Sequence, residues 1–303
     1  MLRFDDFILL LVILSSVLTG LLAPEVGRPF QPYIQSFLMS LLFISFLSIR
    51  VGTIRDMLRH DWRRLSYLAL IKLILLPLLI YYLVRQVYPA YAVAALLLSG
   101  ISTGVVAPFI SNLLGANTSL VLASVVISSL LAPFSLSALL ELLVGQTTAI
   151  PLIGMMVMLA QLIFIPLFLG EALHRLTPRL VAGLIKWRFP FSLIFFAVIN
   201  LGVFSKYASY FHQKPGIILS AVAVATVLAA VFLLAGLLSF RRGPLIDQLA
   251  AAISLSNVNN VLVIVFASEF FGPREPTLAA FYMVPFFGLI VPLRIYRRWR
   301  SGD

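Results

Sequence analysis

Apolar blocks close to twenty residues long recur along this chain, each closed by a short polar or basic stretch. That length suits a helix crossing the roughly 30 Å hydrocarbon core of a bilayer, whereas membrane β-strands would show alternating segments of about ten residues. The blocks predict ten helices, at about 7–23, 32–49, 65–84, 91–114, 119–140, 150–169, 189–204, 217–238, 246–266 and 278–293. The fold class is therefore an all-α membrane protein. Ten helices divide into two five-helix repeats, about 7–141 and 148–295, inside one transmembrane domain spanning 1–303. An odd number of crossings per repeat places the halves in inverted topology.

Two of the blocks are interrupted. The stretch Leu98-Ser99-Gly100-Ile101-Ser102-Thr103-Gly104-Val105-Val106-Ala107-Pro108 holds two glycines, a proline and three hydroxyls where an uninterrupted helix needs none of them. Ser254-Leu255-Ser256-Asn257-Val258-Asn259-Asn260 does the same in the ninth block. Backbone groups freed at mid-membrane depth cannot face lipid, because each unsatisfied one costs several kcal/mol there. They must line a protein-enclosed cavity. Paired broken helices in corresponding halves point to a transport site, so helices 4 and 9 are expected to cross near the midplane.

Composition narrows the class. Hydrophobic residues make up 61% of the 303 positions and charged residues 11%, against about a quarter charged in soluble domains. The net charge of +11 would point to nucleic acid if it were clustered on a soluble domain. Here it is spread among loops and reads as orientation, so no nucleic-acid partner is expected. With both termini cytoplasmic, the inner segments carry sixteen basic residues and the outer loops five: Arg28, Arg85, Lys206, Lys214 and Arg274. That bias supports ten spans in the plasma (inner) membrane with both ends inside. The first block follows Arg3, but it is long for a signal-peptide core and no clean cleavage site follows it, so it is taken as a helix. Cysteine is absent, which removes disulfides and thiolate metal sites.

Several stretches resemble the bile acid:sodium symporter family. They are Pro24 after the Leu-rich opening helix, Leu41-Leu42-Phe43-Ile44-Ser45-Phe46-Leu47, Asn117-Thr118-Ser119-Leu120, Ser128-Ser129-Leu130-Leu131-Ala132-Pro133 and Asn259-Asn260. The resemblance covers nearly the whole chain and looks like a bacterial-type member with degenerate sodium sites. It implies a secondary carrier that moves a small organic anion by alternating access, a panel of helices 1, 2, 6 and 7 moving against a core of helices 3–5 and 8–10. Auxin-efflux-type carriers share this architecture and are the nearest alternative. The resemblance also implies two sodium ions held by oxygens at the crossing. The positions matching those ligands here are Lys72, Ala107, Pro108, Val121, Val125 and Leu255 or Ser256. Most of the oxygens and the carboxylate are gone, so transport is expected to proceed without sodium.

Candidate residues follow from the breaks. Lys72 is the charged side chain lying well inside a predicted span, five residues before Pro77. A lone ammonium there costs a few kcal/mol on the lenient insertion scale. It either snorkels to the interface or sits at the crossing as a tethered cation. Ser102, Thr103, Pro108, Ser111 and Asn112 accompany the first break, and Ser256, Asn257, Asn259 and Asn260 the second. Three amides within four residues need more partners than one helix face supplies. Asn200 and Gln161 read as ordinary interhelical hydrogen bonders.

Enzyme chemistry has no foothold in the sequence. His60, His174 and His212 fall in loops without a second ligand at helical spacing, and no carboxylate pair lies mid-span. No cofactor and no metal are expected. A channel would need a continuous polar stripe, which helices 1, 2, 8 and 10 lack. The expected partners are a small organic anion and the lipid bilayer.

Overall fold

The computed structural model describes residues 4–47, 61–145, 151–213 and 216–301. Within them the chain is helical, the one β-type pairing being an isolated bridge between Thr103 and Val258. Besides short helical turns such as Pro24–Gly27 and Ala208–Gln213, its helices are α1 (Phe4–Leu22), α2 (Ile34–Phe46), α3 (Trp62–Val87), α4 (Ala92–Gly100), α5 (Ala107–Leu113) and α6 (Thr118–Val144). After these come α7 (Leu152–Leu176), α8 (Pro178–Lys186), α9 (Arg188–Lys206), α10 (Gly216–Ser239), α11 (Leu245–Ser256) and α12 (Asn260–Phe270). The last are α13 (Arg274–Phe281), α14 (Met283–Gly288) and α15 (Ile290–Ser301).

Five helices among the described residues are long and apolar enough to cross a membrane: α3, α6, α7, α9 and α10. The fourth and ninth predicted helices are each two short pieces. At 1.5 Å per residue the nine residues of α4 span only about 14 Å, well short of the hydrocarbon core. The tenth predicted helix, 278–293, is also divided. It bends by 42° between Arg274–Phe286 and Ile290–Arg300, where Pro285, Gly288 and Pro292 weaken the backbone ladder. The basic loop expected after helix 6 contains α8, begun by Pro178 at its first turn. Pro133 lies within an unbroken α6. Arg3, Arg50, Arg55, Arg59, His60 and Lys214 lie outside the described residues, as do the predicted helix limits at 49 and 150.

Packing separates two groups of helices. In one, α9 lies against α1 and α2, and α2 against α7. The fit is tight: a Cβ on Gly27 would stand 2.2 Å from the Leu201 carbonyl oxygen of α9. The other group gathers α3, α4, α6, α10, α11 and α13 around the two breaks, with α10 packed along α11 and α4 against α3 and α13. The groups meet where α6 touches α7 and where α12 touches α2 and α9.

The turn Ile71–Leu75 within α3 is a π-turn. Pro77 has no N–H, and its ring crowds the carbonyl four residues earlier, that of Leu73. The widened turn relieves that conflict, and the Leu76 N–H bonds to the Ile71 carbonyl five residues back.

Candidate functional site

Helix α4 ends at Gly100 because Ile101 turns extended, with φ −73° and ψ 163°. Helix α11 ends at Ser256, followed by Asn257 at φ −87° and ψ 77°. The two freed strands of backbone then pair with each other. Gly104 N–H donates to the Asn257 carbonyl at 2.6 Å, and Asn259 N–H donates to the Ser102 carbonyl at 2.9 Å. The pairing answers the demand that broken backbone be satisfied within the protein. Only glycine allows it at position 104, where a Cβ would lie 2.9 Å from the Val258 carbonyl oxygen.

Side chains complete the crossing. Thr103 N–H donates to Ser128 Oγ at 2.9 Å, and Thr103 Oγ1 donates to the Ser254 carbonyl at 2.8 Å. Asn259 Oδ1 accepts from Leu262 N–H and caps α12. Asn260 Nδ2 donates to the Ala279 carbonyl at 3.3 Å, tying α12 to α13. Ser256 Oγ bonds back to the Ala252 carbonyl, and the Ser256 carbonyl accepts from Tyr282 OH at 2.6 Å. Three polar atoms here are buried without a partner among the described residues: Ser102 Oγ, Ser254 Oγ and Asn257 Oδ1. Buried polar groups are rarely left so. All three cluster around the one bridge between the two breaks.

Lys72 points into the crossing. Its side chain is 0% exposed, and Nζ lies 3.4 Å from the Leu255 carbonyl oxygen and 6.0 Å from the Phe232 ring centre. Leu255 belongs to the last turn of α11, where unpaired carbonyls and the helix dipole favour a positive charge. No carboxylate lies within ion-pair distance among the described residues. The extra residue of the π-turn rotates this part of α3 relative to a regular helix.

The remaining expected site residues lie further off. Pro108 lies in the first turn of α5, and its carbonyl accepts from Ser111 Oγ, which also bonds Thr118 Oγ1. Asn112 is exposed. Neither Ser111 nor Asn112 joins the bridge. Val121, Val125, Ala107 and Leu255 are fully buried and bring apolar side chains to the positions that the resemblance assigns to sodium ligands. Asn200 is 1% exposed, and its Nδ2 has no partner among the described residues.

Sequence reasoning passed over two residues. Tyr282, fully buried in the tenth block, holds the end of α11 through its hydroxyl. Asp247, in the first turn of α11, accepts from Asn117 Nδ2 at 2.8 Å and pairs with Arg64 at 3.2 Å. An acid just after Pro244 at a helix start was the available signal for it.

Among the described residues, no group of three or more His, Cys, Asp or Glu stands close enough to hold a metal ion. No curated protein matches the chain. A family model described as the sodium bile acid symporter family matches residues 36–214, more than half of the sequence and including the first break.

Proposed function

Because this chain belongs to the sodium bile acid symporter family, an integral membrane protein of transporter type, we propose that it carries a small organic anion by alternating access without sodium. The reading counts ten transmembrane helices in two inverted repeats, the half-helix pairs α4/α5 and α11/α12 being the broken members. The group α1, α2, α7 and α9 is then the panel, and the helices gathered around the breaks are the core. The excess of basic residues in alternate loops supports an inner-membrane orientation with both ends cytoplasmic.

One observation carries the coupling part of the reading. The Lys72 ammonium lies 3.4 Å from a carbonyl at the C-terminal end of α11, the kind of helix end that holds coupling cations in broken-helix carriers. A fixed ammonium there fills a cation's place and leaves N–H donors for an anion arriving from the crevice. The orphan hydroxyls of Ser102 and Ser254 supply further donors. The test is counterflow of small organic anions in proteoliposomes. Counterflow of at least one carboxylate supports a carrier; ion current without counterflow of any would replace it with a channel.

A further inference from the structure

Beside the start of α3, the end of α10 and the turn after it border an open cavity of about 380 Å³. Its walls include Tyr67, Leu238, Phe240, Arg241 and Arg242. We infer that this cavity binds the phosphate headgroup of an anionic phospholipid.

The two arginines sit in a short turn rather than on a loose loop. Arg241 N–H bonds the Leu238 carbonyl and Gly243 N–H the Phe240 carbonyl. From beneath, the buried Gln248 donates through Nε2 to the Gly243 carbonyl at 2.8 Å and to the Arg241 carbonyl at 3.4 Å. Tyr296 OH in turn donates to Gln248 Oε1, fixing the amide. The turn is therefore organised before any ligand arrives, which reduces the ordering cost of binding.

Charge is available in it. Neither guanidinium has a salt-bridge or hydrogen-bond partner among the described residues. Two carboxylates at this end, Asp61 and Asp247, are both engaged by Arg64, at 3.4 and 3.2 Å. Arg63 lies over the Trp62 ring next to the same end of α3. The site is thus basic and aromatic together, as expected of a headgroup pocket at the membrane interface.

The apolar wall identifies the guest as a lipid. Leu238 is 62% exposed, and Leu234 and Val227 continue the same stripe along α10, also more than half exposed. Spacings of four and seven residues keep them on one face. Tyr67 and Phe240 close the other side, ring centres 5.7 Å apart. A ligand that fits must carry a phosphate at one end and long hydrocarbon at the other.

Full-length protein purified in detergent should bind phosphatidylglycerol at least about ten times more tightly than phosphatidylcholine by native mass spectrometry. Arg241→Gln/Arg242→Gln should weaken phosphatidylglycerol binding about thirty-fold, at roughly 1 kcal/mol per arginine. The same change at Arg175 and Arg179, on either side of the junction between α7 and α8, should leave that preference in place. Both arginines of the pocket are exposed, and equal lipid-free melting temperatures would confirm an intact fold. Retention of the preference by the pocket variant, or equal loss in the control variant, overturns the site. Displacement of phosphatidylglycerol by inorganic phosphate at matched concentration would assign the pocket to a soluble anion instead.

Discussion

The Nζ atom of Lys72 and the carbonyl oxygen of Leu255 are 3.4 Å apart, although 183 positions separate the residues in sequence. The contact joins the π-turn of α3 to the end of the half-helix α11. Removing a buried charge in favour of an apolar side chain of similar volume is often neutral or stabilising. Lys72→Met should therefore leave thermal stability unchanged or raise it by about 1–4 kcal/mol. If the ammonium serves the substrate, the same variant should lose at least about tenfold in transport rate, some 1.4 kcal/mol. Undiminished uptake by a stable Lys72→Met protein would remove Lys72 from the mechanism.

Much of this arrangement was legible in the sequence, for a physical reason. Gly100, Gly104, Pro108 and the cluster Asn257, Asn259 and Asn260 break helical rules inside apolar blocks, so both breaks could be placed within a few residues. What stayed hidden depends on three-dimensional facing. Periodicity alone left open whether Lys72 reached the interface or the crossing, because a single π-turn shifts the face of α3. Ser111 and Asn112 left the choice between cavity and helix packing open; they follow the break on α5, where Ser111 bonds Pro108 and Thr118, and Asn112 is exposed. The bends in the tenth block were hidden because Pro285 and Pro292 sit in an otherwise continuous apolar run.

The backbone bridge has its own test. A methyl at position 104 meets the Val258 and Asn257 carbonyl oxygens at 2.9 and 3.1 Å, and neither peptide group moves without breaking the pairing. Gly104→Ala should cost about 1–3 kcal/mol, seen as a lower melting temperature in detergent. Gly183→Ala, where nothing stands within 4 Å, is the matched control and should be stable. Equal melting temperatures for both variants would show that the crossing tolerates separation.

Asp247 anchors the opposite end of α11. Asp247→Ala leaves the Asn117 amide without its acceptor and should cost about 1–3 kcal/mol. Arg64, about half exposed, contributes less, so Arg64→Ala should stay within about 1 kcal/mol. Asn117→Ala loses both the bond to Asp247 and its cap on Leu120 N–H. The Asn117 and Asp247 effects should be coupled by roughly 0.5–3 kcal/mol in a double-mutant cycle. Strict additivity would mean that the two side chains act independently.

On the other face, Lys206 Nζ and Tyr207 OH both donate to the Ser268 carbonyl, at 2.9 and 3.0 Å. They fasten the end of α9 to the end of α12, across the boundary between the two helix groups. Burial, with Glu275 and Glu269 nearby, pushes the Tyr207 phenol up to about 12, so it keeps its proton as a donor at any ordinary pH. Lys206→Met/Tyr207→Phe should speed external labelling of a cysteine placed at Asn200 by a membrane-impermeant maleimide several-fold. The increase should be the same at pH 6 and pH 9. Unchanged labelling would show that this contact does not hold the groups together.

Sodium dependence is the sharpest consequence of the crossing. A sodium ion bound in the family's manner needs oxygen ligands where this chain places Ala107, Pro108, Val121, Val125 and Leu255. Those side chains offer none, and the carbonyls of Ser102, Ser254 and Asn257 already accept hydrogen bonds within the bridge. The Leu255 carbonyl, at the end of α11, is taken by Lys72. A sodium ion brought to about 4 Å from that ammonium would meet about 4 kcal/mol of repulsion at an effective dielectric near 20. That weakens binding by nearly a thousandfold. Uptake of the anion identified by counterflow should therefore be the same in choline as in sodium medium, while Lys72→Gln impairs it in both. A steep rise with sodium in the unmodified protein would sink this account, because the ion would then have to displace Lys72 from α11.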